Sequence, residues 1–170
     1  MTRGDRYRDL LNSEAFKLLS LFFILVLIFS VVYILFRGSI AFLNDLTAIV
    51  LGFILSIFGL DAAASGSAVR VNGFGMEIVD ECTGIFEMLV YAAAVLAFPT
   101  SRNKKAIGLA FGIPLLGLLN MVRLICLAFV GMHYPESFEF VHLYLWQVTL
   151  ILLIVIVLSI WILRVVKVEG

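Results

Sequence analysis

Charge is scarce in this chain. Of 170 residues only 12 are basic and 12 acidic, 14% in all, where a soluble domain carries roughly a quarter. With 63% hydrophobic residues and a mean hydropathy of +1.14, a soluble globular domain is excluded. An integral membrane protein of one domain and a few crossings is expected. Because the net charge is zero, the information lies in where the charges sit. Cysteine is nearly absent: Cys82 and Cys126 are too few for a disulfide scaffold and form no CxxC. The N-terminal stretch MTRGDRYRDLLNSEAFK runs into a long apolar segment without an A-x-A cleavage site, and is read as a retained anchor. There is no internal repeat, no low-complexity segment and no sign of a second domain. No cofactor, metal ion or nucleic acid is expected.

What remains is organised by the membrane. The expected fold is an all-α integral membrane protein. It has about four transmembrane helices, near 15–36, 85–98, 106–130 and 142–163, the second extendable outward through Cys82. A further apolar stretch, 40–60, is interrupted by Asn44 and Asp45 and weakened by Gly52 and Gly59. Arg3, Arg6, Arg8 and Lys17 precede the first span. Arg102, Lys104 and Lys105 fill a short loop, and Arg164 and Lys167 follow the last span. If all three clusters are cytoplasmic, an even number of crossings separates each from the next. The 40–60 stretch therefore does not cross and is read as an interfacial or re-entrant helix on the outer side. Arg37, alone on that side, is the cost of this topology. Between that helix and Cys82, alternating Val69 and Val71, the Asn72–Gly73 pair, then Phe74, Met76 and Ile78 spell a small outer β-hairpin. The expected parts are thus a cytoplasmic tail 1–14, first span 15–36, interfacial helix 40–60, outer hairpin 65–81, a helical part 82–163 and a cytoplasmic tail 164–170.

This topology gathers reactive side chains. Cys82 lies at the outer end of its helix, and His142 is the first residue of the last one, which also starts outside. Arg123 lies 17 residues beyond Ala106, about 25 Å along the helix at 1.5 Å per residue, at the level of Cys82. An intramembrane arginine costs about 3 kcal/mol on insertion scales and needs a partner or a polar cavity. Asn120 shares its face, and Glu87 is the expected counter-charge. A cysteine beside a cation at a helix N-terminus has its thiolate favoured. A histidine at the same level serves as base and then acid, and the arginine can stabilise an oxyanion. That set suits acyl transfer through a thioester.

Plainer readings stand beside these. Cys126 is taken as inert packing and His133, in GMHYPESFEF, as a solvated loop residue. His142 can also be an interfacial anchor beside Tyr144 and Trp146. Asp80 and Glu81 can simply mark a helix N-terminus, and Arg123 with Glu87 can be a structural ion pair.

At DECTGIFEM, LLNMVRLICLAFVG and FEFVHLYLWQ the chain resembles the exosortase/archaeosortase family of membrane cysteine transpeptidases, most like the exosortase H branch. The matching positions are Cys82 in Cys82–Thr83–Gly84, Arg123 in Asn120–Met121–Val122–Arg123, and His142. The likeness spans about residues 45–150. The extra N-terminal helices of longer members have no counterpart in the likeness, so the resemblance does not carry over the substrate contacts those helices make, though it does carry over the catalytic trio. The resemblance implies a multi-pass enzyme of the cytoplasmic membrane with its site facing outward. Its partners would be exported, membrane-anchored proteins bearing a C-terminal sorting signal. Catalytic roles fall on Cys82, Arg123 and His142, supported by Asn120, Glu87, Glu81, Thr83 and Gly84. One alternative is a non-enzymatic transporter or assembly subunit built around an Arg123–Glu87 pair, although no repeated halves or broken midplane helices support a transporter. The other is a thiol redox or metal protein, disfavoured by the cysteine spacing.

Overall fold

The chain is mostly helical in a computed structural model that describes residues 14–167. The N-terminal basic residues Arg3, Arg6 and Arg8, and residues 168–170 of the C-terminal tail, lie outside the described residues. Helix α1 (Glu14–Phe36) passes through a 3-10 turn (Arg37–Ile40) into α2 (Phe42–Ile57). Three strands follow, β1 (Ala62–Ser65), β2 (Ala68–Val71) and β3 (Phe74–Glu77), and then a 3-10 turn, Asp80–Cys82. Helices α3 (Ile85–Ala97), α4 (Arg102–His133) and α5 (Phe138–Trp161) complete the chain, α5 ending in a π-helical turn, Ile162–Val166.

Among the described residues, three helical stretches are long and apolar enough to cross a membrane: Glu14–Ile40, Arg102–His133 and Val148–Val166. No residue of α1 is buried, so its Leu, Ile and Phe side chains suit lipid on nearly every side. Helices α2 and α3, at 16 and 13 residues, rise about 24 Å and 20 Å, against a hydrocarbon core of about 30 Å.

The expected hairpin is present, and a third strand joins it. β2 and β3 pair antiparallel around Asn72 and Gly73, whose φ angles of 47° and 88° are those of a type I′ turn. β1 adds on the far side of β2, giving the order β1-β2-β3. Its sequence, AAAS, carries no β-branched or aromatic signal, so pairing with β2 makes the strand. Asn72 secures the corner: its N–H donates to the Asp61 carbonyl and its Oδ1 accepts from the Asp61 N–H. The alternation sends Val69, Val71 and Met76 inward, while Ala68, Arg70, Gly75 and Glu77 stay exposed.

Two apolar clusters hold the molecule together. One joins the sheet's inner face to Leu51 and Leu55 of α2 and to Leu124, Leu127 and Ala128 of α4. The other joins Tyr91 and Val95 of α3 to Leu116 of α4 and Val157 and Trp161 of α5. Here α4 has glycine where rings press on it. A Cβ at Gly112 would overlap the Tyr91 ring and one at Gly108 would strike the Trp161 indole. The Tyr91 hydroxyl donates to the Gly108 carbonyl at 3.0 Å, and Trp161 Nε1 donates to the Lys104 carbonyl at 2.9 Å.

Four expectations need correction. Helix α3 does not extend outward through Cys82, because Gly84 at φ 77° breaks it. The last helix begins at Phe138, so His142 lies one turn inside it rather than at its first residue. His133 is the final residue of α4 rather than a loop residue, and its Nδ1 is 2.9 Å from the Phe129 carbonyl. Arg37 is not the single basic residue on the expected outer side, since Arg70 stands exposed on β2, and Arg37 is ion-paired with Asp80.

Candidate active site

Between the two apolar clusters lies a polar layer. Thr83, Glu87, Asn120 and Arg123 are the buried polar or charged residues among the described ones, and all four surround the turn that carries Cys82. On α4, Asn120 and Arg123 fall between Leu116 of one cluster and Leu124 of the other. On the facing chain, Glu87 falls between Cys82 and Tyr91. Helical spacing of three and four residues brings these positions to a common face.

The local geometry of the Cys82 turn follows from its sequence. The Cys82 N–H donates to the Val79 carbonyl at 2.8 Å, closing a 3-10 turn. The Thr83 hydroxyl donates back to the Asp80 carbonyl at 2.7 Å. Gly84 then adopts a left-handed conformation open to glycine at little cost, and α3 begins. Cys82 therefore precedes the helix by a turn instead of capping it.

Asn120 reaches across to this turn, and its Nδ2 donates to the Cys82 carbonyl at 2.8 Å. Gly84 makes room for that contact, since a Cβ there would lie 3.0 Å from the Asn120 Cγ. Arg123, one turn further along α4, is 3% exposed. Its charge acts on Cys82, Glu87 and His142 alike. Glu87 is buried with Oε2 lacking a hydrogen-bond partner among the described residues, as does Asn120 Oδ1. His142 is half-buried and stacks on Phe138, ring centroids 5.8 Å apart. Cys126 is exposed, and no group of three or more metal-ligating side chains occurs among the described residues.

Asp80 and Glu81 do not share a role as helix markers. Asp80 is a clamp: Arg37 Nε contacts its Oδ2, and Asn44 Nδ2 donates to its Oδ1 at 2.7 Å. These donors belong to the turn after α1 and to α2, so one carboxylate ties three parts of the chain two residues from Cys82. The donors hold the Asp80 carboxyl below its usual range, Asn44 contributing most and Arg37 next. This clamp went unread in the sequence. Its signal was there in two polar residues, Arg37 and Asn44, set in apolar surroundings that demand a partner. Glu81 stays exposed, beside a small cavity under the end of α1.

No curated protein and no solved structure matches this chain. A family model does, that of the transmembrane exosortases (Exosortase_EpsH), over residues 8–161. The match takes in the polar layer, the Cys82 turn and every helix described above, and the chain belongs to the transmembrane exosortase family.

Proposed function

We propose that this membrane protein is a cysteine protease and transpeptidase. It cleaves a C-terminal sorting signal from exported, membrane-anchored proteins and passes them to an acceptor. The observation that carries the reading is the convergence of the buried polar side chains on one cysteine. Burying Glu87, Asn120 and Arg123 is costly, and a purely structural membrane bundle has no need to collect that cost around a thiol.

Cys82 is the nucleophile. Its thiolate, favoured by the neighbouring Arg123 cation, attacks the peptide carbonyl at the sorting signal. The developing oxyanion is stabilised by the guanidinium. The C–N bond breaks as His142, in its protonated form, gives its proton to the departing amine. The tail leaves and the acyl group remains on Sγ as a thioester. An acceptor then attacks, loses its proton to His142 and restores the thiolate. Asn120 holds the Cys82 backbone, Thr83 and Gly84 shape its turn, and Glu87 balances the charge beneath it. Glu81 sits at the rim.

In this reading four segments cross the cytoplasmic membrane, the fourth being α3 with the turn before it. Helix α2 lies at the outer interface, the sheet and the Cys82 turn face outward, and both termini are cytoplasmic. The basic clusters support this orientation, against which only Arg37, ion-paired with Asp80, and Arg70 of β2 stand among the described residues.

The test is co-expression with candidate proteins that carry a C-terminal sorting signal. Cleavage should disappear in Cys82→Ala and nearly disappear in Cys82→Ser, because a cation can favour a thiolate but cannot ionise a serine hydroxyl near neutral pH. His142→Ala should be severely slowed, while Cys126→Ala and His133→Ala retain most activity. Cleavage persisting in Cys82→Ala, or an acyl label landing on Cys126, refutes the mechanism.

A further inference from the structure

Strand β3 forms an open edge of the sheet. The Ile78 N–H donates to the Ser67 carbonyl at 2.8 Å. Antiparallel pairing alternates from there, so Met76 and Phe74 also turn their backbone groups toward β2. Gly75 and Glu77 therefore aim N–H and C=O away from the sheet, and no other hydrogen bond reaches those groups among the described residues. The chain stays extended through Val79, at φ −95° and ψ 167°, which continues the alternation and adds a third outward N–H. The opposite edge is backed by α2, since a Cβ at Gly52 would lie 3.5 Å from the Ala64 amide nitrogen.

An exposed strand edge is a template for another chain, and proteins blunt it with charge, proline or a bulge. β3 carries one charge, Glu77, and neither of the others. Gly75 stands exposed in mid-strand with nothing within 4 Å of where a Cβ would be, and a glycine so placed often marks the close approach of another backbone. Beside it the outer face of the sheet forms an open depression of about 520 Å³, lined by small residues such as Ala63, Ala68 and Gly75. Past it comes Val79, 39% exposed, whose carbonyl accepts the Cys82 N–H at 2.8 Å. The edge thus ends on a residue hydrogen-bonded to the proposed nucleophile.

We propose that this edge binds the exported protein by strand addition, the extended residues just before the scissile bond lying along β3 as a fourth strand. The proposal rests on the transpeptidase reading, which fixes where the occupant comes from. The exported part lies outside and the tail helix lies in the bilayer. The segment between them therefore runs toward the Cys82 turn in the same direction as β3, as a parallel strand. Gly75 to Val79 spans about 13 Å, room for about four residues. Main-chain bonds to Gly75, Glu77 and Val79 supply affinity, while alternate side chains reach the depression. The occupant is an extended peptide because a helix has already bonded its own N–H and C=O groups.

The test uses a defined probe and no cleavage. One exported chain joins a soluble reporter, the stretch Thr-Val-Thr-Val-Thr, an apolar helix and an arginine cluster. It is co-expressed with the full-length protein carrying Cys82→Ala, Cys126→Ala and Gly75→Cys. A single cysteine is moved through the stretch, and mild oxidation joins it to the cysteine at position 75. Because the side chains of a strand alternate between faces, cross-linking should be about tenfold stronger at every second position than between. Adding Glu77→Pro, which removes an outward N–H and leaves the pairs to β2 in place, should abolish the alternation. Adding Glu77→Ala should keep it. Even cross-linking, no cross-linking, or equal behaviour of the two Glu77 variants each overturns the proposal. Glu77→Cys, on the same face, repeats the measurement should Gly75→Cys fail to fold. Should Glu77→Pro fail to fold, the presence or absence of alternation decides alone. The cross-links need no nucleophile, so cleavage by Cys82→Ala would defeat the transpeptidase reading separately. Missing alternation beside an inactive Cys82→Ala would defeat strand addition alone.

Discussion

Asn120 on α4 donates its side-chain N–H to the backbone carbonyl of Cys82 at 2.8 Å, in a spot where Gly84 leaves no Cβ in the way. A residue 38 positions away in sequence thereby holds the backbone that presents the thiol. The bond is buried, so breaking it leaves a carbonyl without its donor, at about 1–3 kcal/mol.

Gly84→Ala tests this relationship. The left-handed backbone costs an alanine about 1–2 kcal/mol, and the new methyl would press on Asn120. Thermal unfolding in detergent should show that loss of stability, and Cys82-dependent cleavage should fall with it. Asn120→Ala should lower activity with a smaller methyl-free disturbance of the turn. Wild-type stability and activity in Gly84→Ala would mean that the turn does not need its left-handed residue.

Arg123→Lys should be strongly impaired, by roughly a hundredfold in turnover if the guanidinium stabilises an oxyanion. Lysine keeps the charge but lacks the planar fork that can serve two acceptors together. Single-turnover acylation of Cys82 measures it directly. Near-normal acylation in Arg123→Lys would reduce the residue's role to a point charge.

The Asp80 clamp predicts a particular response to acid. Because donors from Asn44 and Arg37 lower its folded-state pKa, its contribution to stability is complete above the usual carboxylate range. That contribution is lost as pH falls through the depressed folded value. Asp80→Asn should therefore be less stable than wild type at neutral pH, and the two should converge in strong acid. Unfolding midpoints measured across that range check it, and a constant gap at every pH would exclude the clamp. Arg37→Gln should lose less than Asp80→Asn, since the Asn44 bond survives.

Topology is tested by labelling single cysteines in intact cells with a membrane-impermeant reagent. A probe at Ser67, in the turn between β1 and β2, should be modified from outside, and one at Asn103, early in α4, should not. The opposite pattern would overturn the orientation and the outward-facing site with it.

Much of the site was legible because membrane physics makes polar residues conspicuous. Arg123 in LLNMVRLICLAFVG and Glu87 in IFEMLV stand out against lipid-like surroundings, and the three-residue spacing of Asn120 and Arg123 puts both on one face. The Asn72–Gly73 turn was equally plain, since few other pairs adopt two positive φ angles readily. The limits of α3 were not. The apolar pattern runs smoothly into Cys82, and nothing in it marks Gly84, left-handed at φ 77°, as the residue that stops the helix there.

The sequence by itself determined that this is a membrane protein of long apolar helices. It also determined that a hairpin precedes Cys82, because burial preference, helical period and turn chemistry are local properties that residues carry wherever they stand. Tertiary structure alone decided the rest: that poly-alanine β1 becomes a strand, that Asp80 binds Arg37 and Asn44 rather than capping a helix, and that Glu81 is left facing a cavity. A carboxylate's role depends on which donors the fold brings within hydrogen-bonding distance. Arg37 and Asn44 lie 43 and 36 residues from Asp80, separations over which no local pattern constrains the pairing.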